Sequence, residues 1–252
     1  MTILTLNKKE LEEKIGKIDE KLEETITMMG TPVEESNEEN LSVEVFPNRP
    51  DLLSLQGFSR AVLDYTQKKR LSQYNVEKPD KVKIDKSVKK VRPYTCCAIV
   101  KGLKLNDKKI KELIEIQEKL HLTIGRKRKK LAIGIYPLEE IKLPITYEAR
   151  KPEDIKFVPL ESPGMKKMNG RQILRQHPTG RDYADLLKDF EMYPVFVDGD
   201  GEILSMPPII NSHKTGKINE NTKEDFIECS GFNKESLKKT LNILVTCLSD
   251  MG

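Results

Sequence analysis

Residues 193–208, YPVFVDGDGEILSMPP, leave the chain few choices. Two apolar runs flank Asp-Gly-Asp-Gly, residue types that favour the tight reversal joining adjacent antiparallel strands. A calcium loop would need Asp-x-Asp-x-Asp-Gly and a distant Glu. Only Asp198 and Asp200 fit that pattern, and strands flank them, so a hairpin turn is favoured. The second strand then meets Pro207 and Pro208. Proline cannot donate to a ladder and pushes the residue before it to extended backbone. Met206 and Pro207 are therefore expected to continue the strand of Glu202 to Ser205 at a sheet edge or a pocket wall. The chain goes on through Ile209, Ile210, Asn211, Ser212 and His213. Apolar groups, restrained backbone and short polar side chains are what a binding wall is made of.

The rest of the chain reads as α+β: a small N-terminal helix-hairpin-helix domain and a larger mixed α/β domain. Residues 7–16 and 18–30 have helical apolar spacing and stop at Gly16 and Gly30. Leu41, Val43 and Val45 alternate as a half-buried strand, and residues 51–67 follow as an amphipathic helix with Asp51 as a candidate cap. Residues 68–92 are rich in Lys, Asp and Pro, which puts the boundary there and gives domains 1–85 and 86–252. In the second domain residues 94–105 read as a strand and 107–125 as a helix. Residues 128–138 read as a strand, with Leu131, Ile133 and Ile135 on one face and Arg128 and Lys130 on the other. Residues 170–190 read as two helices broken at Pro178, 224–231 as a strand, and 233–251 as a closing helix capped by Asn233.

Composition excludes several classes. The sequence has 252 residues, 37% hydrophobic and 33% charged, with a formal charge of +4, too weak a bias to imply nucleic acid by itself. The first residues turn charged too early for a secretory signal, and no apolar run approaches the roughly 20 residues of a membrane span. A cytoplasmic protein is the expectation. Cys96, Cys97, Cys229 and Cys247 form no CxxC pair and have no histidine at zinc-like spacing, so small buried hydrophobes are expected, with no metal. His121, His177 and His213 have no partner at a hydrolase motif. The run GRKRKK, with Arg126, Lys127 and Lys130, is either a solvated strand entrance or a phosphate contact on RNA.

Strand alternation puts Glu228 and Ser230 on one face of their strand and Ile227 and Cys229 on the other. Ser205 lies in the hairpin strand with Phe196 on its partner. Three short polar groups are thereby placed to face one space, with Phe196 as a wall. A solvated sheet face with scattered polar residues is the simpler reading of that spacing.

Five stretches resemble the β-subunit of phenylalanyl-tRNA synthetase of the archaeal and eukaryotic type: residues 45–62, 92–103, 116–136, 177–189 and 193–216. The resemblance implies that the chain ends after the editing domain, as a fragment or a short form. It implies a site that hydrolyses tyrosine wrongly esterified to tRNA(Phe). Tyrosine is phenylalanine plus a hydroxyl, an addition that an apolar pocket rejects by only about a hundredfold. The family's amino-acid pocket falls on Phe196, Ser205, Glu228 and Ser230, with smaller aliphatic, Asp and Thr residues expected in relatives at 196, 228 and 230. Its catalytic positions fall on Gln117, Glu118, Arg128 and Asn211. A buried carboxylate at Glu228 would accept the tyrosine hydroxyl, Asn211 would hold the ester carbonyl or amino group, and Gln117 and Arg128 would place the terminal adenosine or a water. Glu118 would be the least favoured of these, either a base or a helix-surface residue. The implied partners are the tRNA(Phe) acceptor end and an α-subunit in an α2β2 assembly, with no membrane or DNA. No cofactor is implied for this chain, while ATP and magnesium belong to the assembly. A free-standing deacylase and a non-catalytic tRNA- or protein-binding module remain alternatives.

Overall fold

The computed structural model describes residues 2–67, 74–78 and 80–252, so part of the linker expected after residue 67 lies outside the described residues. The chain is α+β throughout. The N-terminal part comprises β1 (Thr2–Asn7), α1 (Lys8–Ile15), α2 (Glu20–Met28), β2 (Val33–Ser36), β3 (Asn40–Val45) and α3 (Leu55–Gln67). Its sheet runs β1-β3-β2 and is antiparallel, with Thr2 opposite Val45 and Asn7 opposite Asn40. The sequence expectation of helix, hairpin and helix lacked β1. Leu4 and Leu6 alternate with exposed residues there and bury against the helices, but six residues give a period of two little room to show itself.

Local chemistry fixes the helix starts. Asn7 Oδ1 accepts from Glu10 N and begins α1. Asp51 does not cap α3. It pairs with Arg49 at 2.8 Å within a 3-10 turn, Pro50–Leu52. Ser54 takes the capping role, its Oγ accepting from Gly57 N at 3.0 Å. A Cβ on Gly57 would collide with the Asp51 carbonyl oxygen, so the close approach of turn and helix requires glycine there.

The remaining elements are β4 (Lys83–Ile84), β5 (Tyr94–Lys101), α4 (Asp107–Leu122), β6 (Leu131–Pro137), β7 (Thr146–Arg150), β8 (Lys156–Phe157) and β9 (Met168–Asn169). They continue with α5 (Gly170–Gln176), α6 (Pro178–Asp182), β10 (Tyr193–Val197), β11 (Ile203–Met206), β12 (Ile210–Asn211), β13 (Glu224–Gly231) and α7 (Lys234–Met251). One sheet has the order β5-β13-β6 and a second the order β12-β11-β10-β7-β4. The expected hairpin is β10–β11. Asp198 builds its turn by accepting from Asp200 N and Glu202 N, while Oδ2 accepts from Lys142 N.

Two differences from expectation shape the site. β11 ends at Met206, and the chain reverses at Pro207 and Pro208 instead of running on. Ile209 N donates to Met206 O at 2.9 Å, and β12 folds back so that Asn211 lies opposite Ser205. Arg128 is not in a strand. Arg126, Lys127 and Arg128 have φ of 49°, 53° and 64°, a left-handed turn that the chain completes before β6.

Strand β13 divides the interior. Its odd side chains, Ile227 and Cys229, join the core formed with α4, α7 and the N-terminal part. Its even side chains face the second core, where Phe226 packs with Tyr136, Tyr147 and Phe196. Each fully buried Leu or Phe in these cores contributes roughly 1.5–3 kcal/mol. Polar contacts also join the N-terminal part to the rest: Arg60 to Asp250 at 2.6 Å, Gln56 to Glu112 at 2.7 Å and Lys108 to Glu10 at 2.7 Å.

Candidate active site

Strand β6 is an edge of its sheet, so alternate backbone groups along it have no strand to pair with. Helix α4 supplies partners. Gln117 Nε2 donates to Ile133 O at 3.0 Å, and Ile133 N donates to His121 Nε2 at 2.9 Å. Gln117 and His121 are one helical turn apart and grip a single residue of the edge. His121 Nδ1 lies 3.1 Å from Glu118 Oε1, and burial pushes the imidazole pKa down, which suits a neutral ring donating to Glu118 and accepting from Ile133.

Beside this edge is a cavity of about 540 Å³. Its walls come from α4 (Gln117, Glu118, His121), from β6 (Ala132, Ile133, Ile135), from the Pro207–Asn211 reversal with Ser205, and from Glu228. Arg128 also lies on the wall. Its guanidinium donates to Ile209 O and to Glu118 Oε1, each at 2.9 Å, and stacks 4.4 Å from the Tyr183 ring centroid. The left-handed backbone at 126–128 costs about 1–2 kcal/mol per residue. The contacts of Arg128 offset that cost and tie α4 to the proline reversal. The hydrogen bond with His121, with Arg128 beyond it, brings Glu118 down to about 2. A carboxylate so held is an anchor and a poor base, against the role expected for it.

The floor is polar. Glu228 is 1% exposed. Burial raises its carboxyl to about 8, against the lowering pull of the Arg92 guanidinium. The shift favours the protonated form over the carboxylate that was expected. Oε1 lies 3.4 Å from the Tyr136 hydroxyl, whereas Oε2 is buried and has no partner. The same hydroxyl donates to Ser205 Oγ at 2.7 Å and lies 3.4 Å from Asn211 Oδ1.

Of the residues singled out in sequence, Gln117, Glu118, Arg128, Asn211, Ser205 and Glu228 share the cavity wall. Phe196 and Ser230 do not. Phe196 is fully buried and stacks on Tyr147 at 4.4 Å, within the second core. Ser230 holds Arg92, whose Nε reaches Ser230 Oγ at 3.1 Å and whose Nη2 reaches Ser230 O at 2.6 Å. Alternation gives the face of a strand but not its distance from the cavity across the sheet: Phe196 lies opposite Ser205 and Ser230 opposite Ala132, each one strand in from a residue of the wall. Arg126 and Lys127 are exposed on the left-handed turn, and Lys130 is half-buried after it. His121, His213, Tyr136 and Gly134 were missed. The row Ala132, Gly134 on β6 was the available signal, since small side chains leave space. Among the described residues no group of three or more His, Cys, Asp or Glu side chains is placed to hold a metal ion.

Comparisons with known proteins give the class: the chain is similar to part of an aminoacyl-tRNA synthetase subunit. No family model matches the chain. It is 38% identical over its whole length to the phenylalanine–tRNA ligase β-subunit of Methanosphaera stadtmanae and 39% identical to that of Methanosarcina barkeri. It spans only 45% and 46% of the length of those relatives. The crystal structure of an N-terminal fragment of the phenylalanyl-tRNA synthetase β-subunit from Pyrococcus horikoshii superimposes with a TM-score of 0.89 at 36% identity, covering all of this chain and 74% of that one. The chain belongs to the phenylalanyl-tRNA synthetase β-subunit family and corresponds to its N-terminal region.

Proposed function

We propose that the chain proofreads: it hydrolyses the ester between tyrosine and tRNA(Phe) in the cavity beside β6. One observation carries this reading. Glu228, buried and with its protonated form favoured, sits on the wall of a cavity of about 540 Å³ with one oxygen unpartnered. That volume is in the range of small-ligand sites, roughly 300–1,000 Å³.

A phenol entering the cavity would pair with Oε2. Phenylalanine would leave that oxygen buried and unsatisfied, at a cost of about 1–3 kcal/mol, or roughly tenfold to a hundredfold in discrimination. The wall has short polar side chains at one end and Ile133, Ile135, Ile209 and Ile210 elsewhere, which suits an aromatic ring. Asn211 would hold the ester carbonyl oxygen. The attacker would be water: its oxygen adds to the carbonyl carbon, the bond to the ribose oxygen breaks, and the ribose hydroxyl recovers a proton from solvent. Positioning and polarisation would supply the rate, because Glu118 is too weak a base.

The same reading assigns residues 86–252 to editing and 1–85 to a structural role in an α2β2 synthetase of the cytoplasm. The α-subunit would use ATP and magnesium. Arg126, Lys127 and Lys130 would meet phosphates of the tRNA acceptor end. The test is deacylation by the isolated chain. Tyrosyl-tRNA(Phe) should be hydrolysed at least tenfold faster than phenylalanyl-tRNA(Phe), and Glu228→Ala should remove most of that preference. Equal rates for both esters, or no hydrolysis of either, would rule the reading out.

A further inference from the structure

Tyr136 touches three polar groups of the wall and lies behind them. Its hydroxyl is 2.7 Å from Ser205 Oγ and 3.4 Å from both Asn211 Oδ1 and Glu228 Oε1. The ring is fully buried, 6.0 Å from Phe226 centroid to centroid. A phenylalanine would fill the same core, so packing alone does not account for an oxygen there. The adjacent residue of the same face is Gly134, paired with Glu228 across the sheet. A Cβ at Gly134 would collide with the Tyr136 hydroxyl and come within 2.7 Å of Glu228 Oε1. Glycine thus leaves the space in which phenol and carboxyl meet.

We propose that Tyr136 is a positioning residue for a phenolic ligand: its hydroxyl is the shared partner of Ser205, Asn211 and Oε1 of Glu228, and it holds these polar groups of the wall in one arrangement for the ligand's hydroxyl. The proposal rests on the proofreading reading and names a residue outside the expected pocket. The order of protons follows from the contacts. Burial keeps the phenol protonated, and the short contact assigns its proton to Ser205 Oγ. The 3.4 Å contact to Oε1 is long for an O–H···O bond, so it orients the group weakly. Without the Tyr136 oxygen Ser205, Asn211 and Glu228 lose their common partner, and the pocket loses its preference for a phenol.

The test uses Tyr136→Phe, checked for an unchanged melting profile, with p-cresol and toluene as probes. The wild-type chain should bind p-cresol more tightly than toluene. The variant should lose about tenfold in p-cresol affinity and nothing for toluene. In hydrolysis the tyrosyl-tRNA kcat/KM should fall by a similar factor, mainly through KM, with phenylalanyl-tRNA unchanged. Gly134→Ala, whose Cβ would collide with the same hydroxyl and crowd Glu228 Oε1, should also weaken p-cresol; if Tyr136→Phe does not fold, Ser205→Ala, which removes the short partner of that hydroxyl, should narrow the margin in its place. A folded variant that keeps the wild-type margin of p-cresol over toluene overturns the proposal, as does a wild-type chain with no such margin. If the margin exists and falls as described while neither ester is hydrolysed, proofreading is wrong and the positioning role of Tyr136 stands.

Discussion

Asp225 and Glu228 lie on the same strand, face opposite sides of it, and are each no more than 1% exposed. Burial raises both carboxyls, Asp225 to about 7 with Glu139 adding to the effect, and Glu228 to about 8. Their surroundings differ. Neither oxygen of Asp225 has a partner, and Asp225 is absent from the wall of the cavity beside β6. Glu228 has a phenol behind it, two short polar side chains beside that phenol, and an open volume in front. A perturbed carboxyl is therefore no sign of chemistry by itself. A ligand must be able to reach it, and neighbours must fix which oxygen the ligand meets.

The sharpest break of this comparison is between stability and activity. Ile227→Ala opens a hole in the core on the Asp225 side and should destabilise the fold by roughly 2–5 kcal/mol in chemical denaturation. Its ratio of tyrosyl to phenylalanyl hydrolysis should stay at the wild-type value under conditions where the variant is folded. Glu228→Ala should do the reverse to activity, cutting tyrosyl-tRNA hydrolysis by about tenfold to a hundredfold, whereas Asp225→Ala leaves the ratio alone. Equal effects from the two carboxyl substitutions would erase the distinction between them.

Stability against pH sharpens the comparison at a smaller scale. An acid whose folded pKa is raised binds its proton more tightly when folded. Its contribution to stability is full below the unfolded pKa, near 4, and is lost as pH rises toward the folded value. Both groups should thus make the fold weaker between about pH 4 and pH 7–8. Asp225→Asn and Glu228→Gln should each raise the melting temperature more at pH 8 than at pH 4, by roughly 2–4 °C per kcal/mol recovered. A flat difference across that window would show that the carboxyls are ionised in the folded state. The smallest effect expected is at the left-handed turn. Lys127→Gly relieves backbone strain at an exposed position and should stabilise by no more than about 1 kcal/mol, read from the denaturation midpoint.

Much of this was legible in sequence where one physical signal dominates. The β10–β11 hairpin follows from alternating apolar residues around Asp-Gly-Asp-Gly, and α4 and α7 from helical spacing, the latter behind Asn233. Ser205 and Glu228 could be gathered because alternation assigns faces, and Asn211 because of the family resemblance. Elsewhere the signal was weak or absent. Two prolines said that a normal ladder ends but not that the chain turns back to put Asn211 opposite Ser205. Arg126, Lys127 and Arg128 look like a strand entrance, since no residue type among them favours a left-handed turn. Tertiary contacts of Arg128 impose it. Phe196 and Ser230 have the right parity but lie one strand in from wall residues Ser205 and Ala132, an order that only strand pairing supplies. The Tyr136 hydroxyl reaches Glu228 from a neighbouring strand, a relation that only β6–β13 pairing supplies.

The most direct measurement is a crystal of the chain soaked with L-tyrosine, with L-phenylalanine as the control. The expected result is tyrosine in the cavity beside β6, its hydroxyl within about 3 Å of Glu228 Oε2, with phenylalanine at lower occupancy or missing. Tyrosine bound with its hydroxyl toward solvent, or both amino acids bound alike away from Glu228, would contradict it.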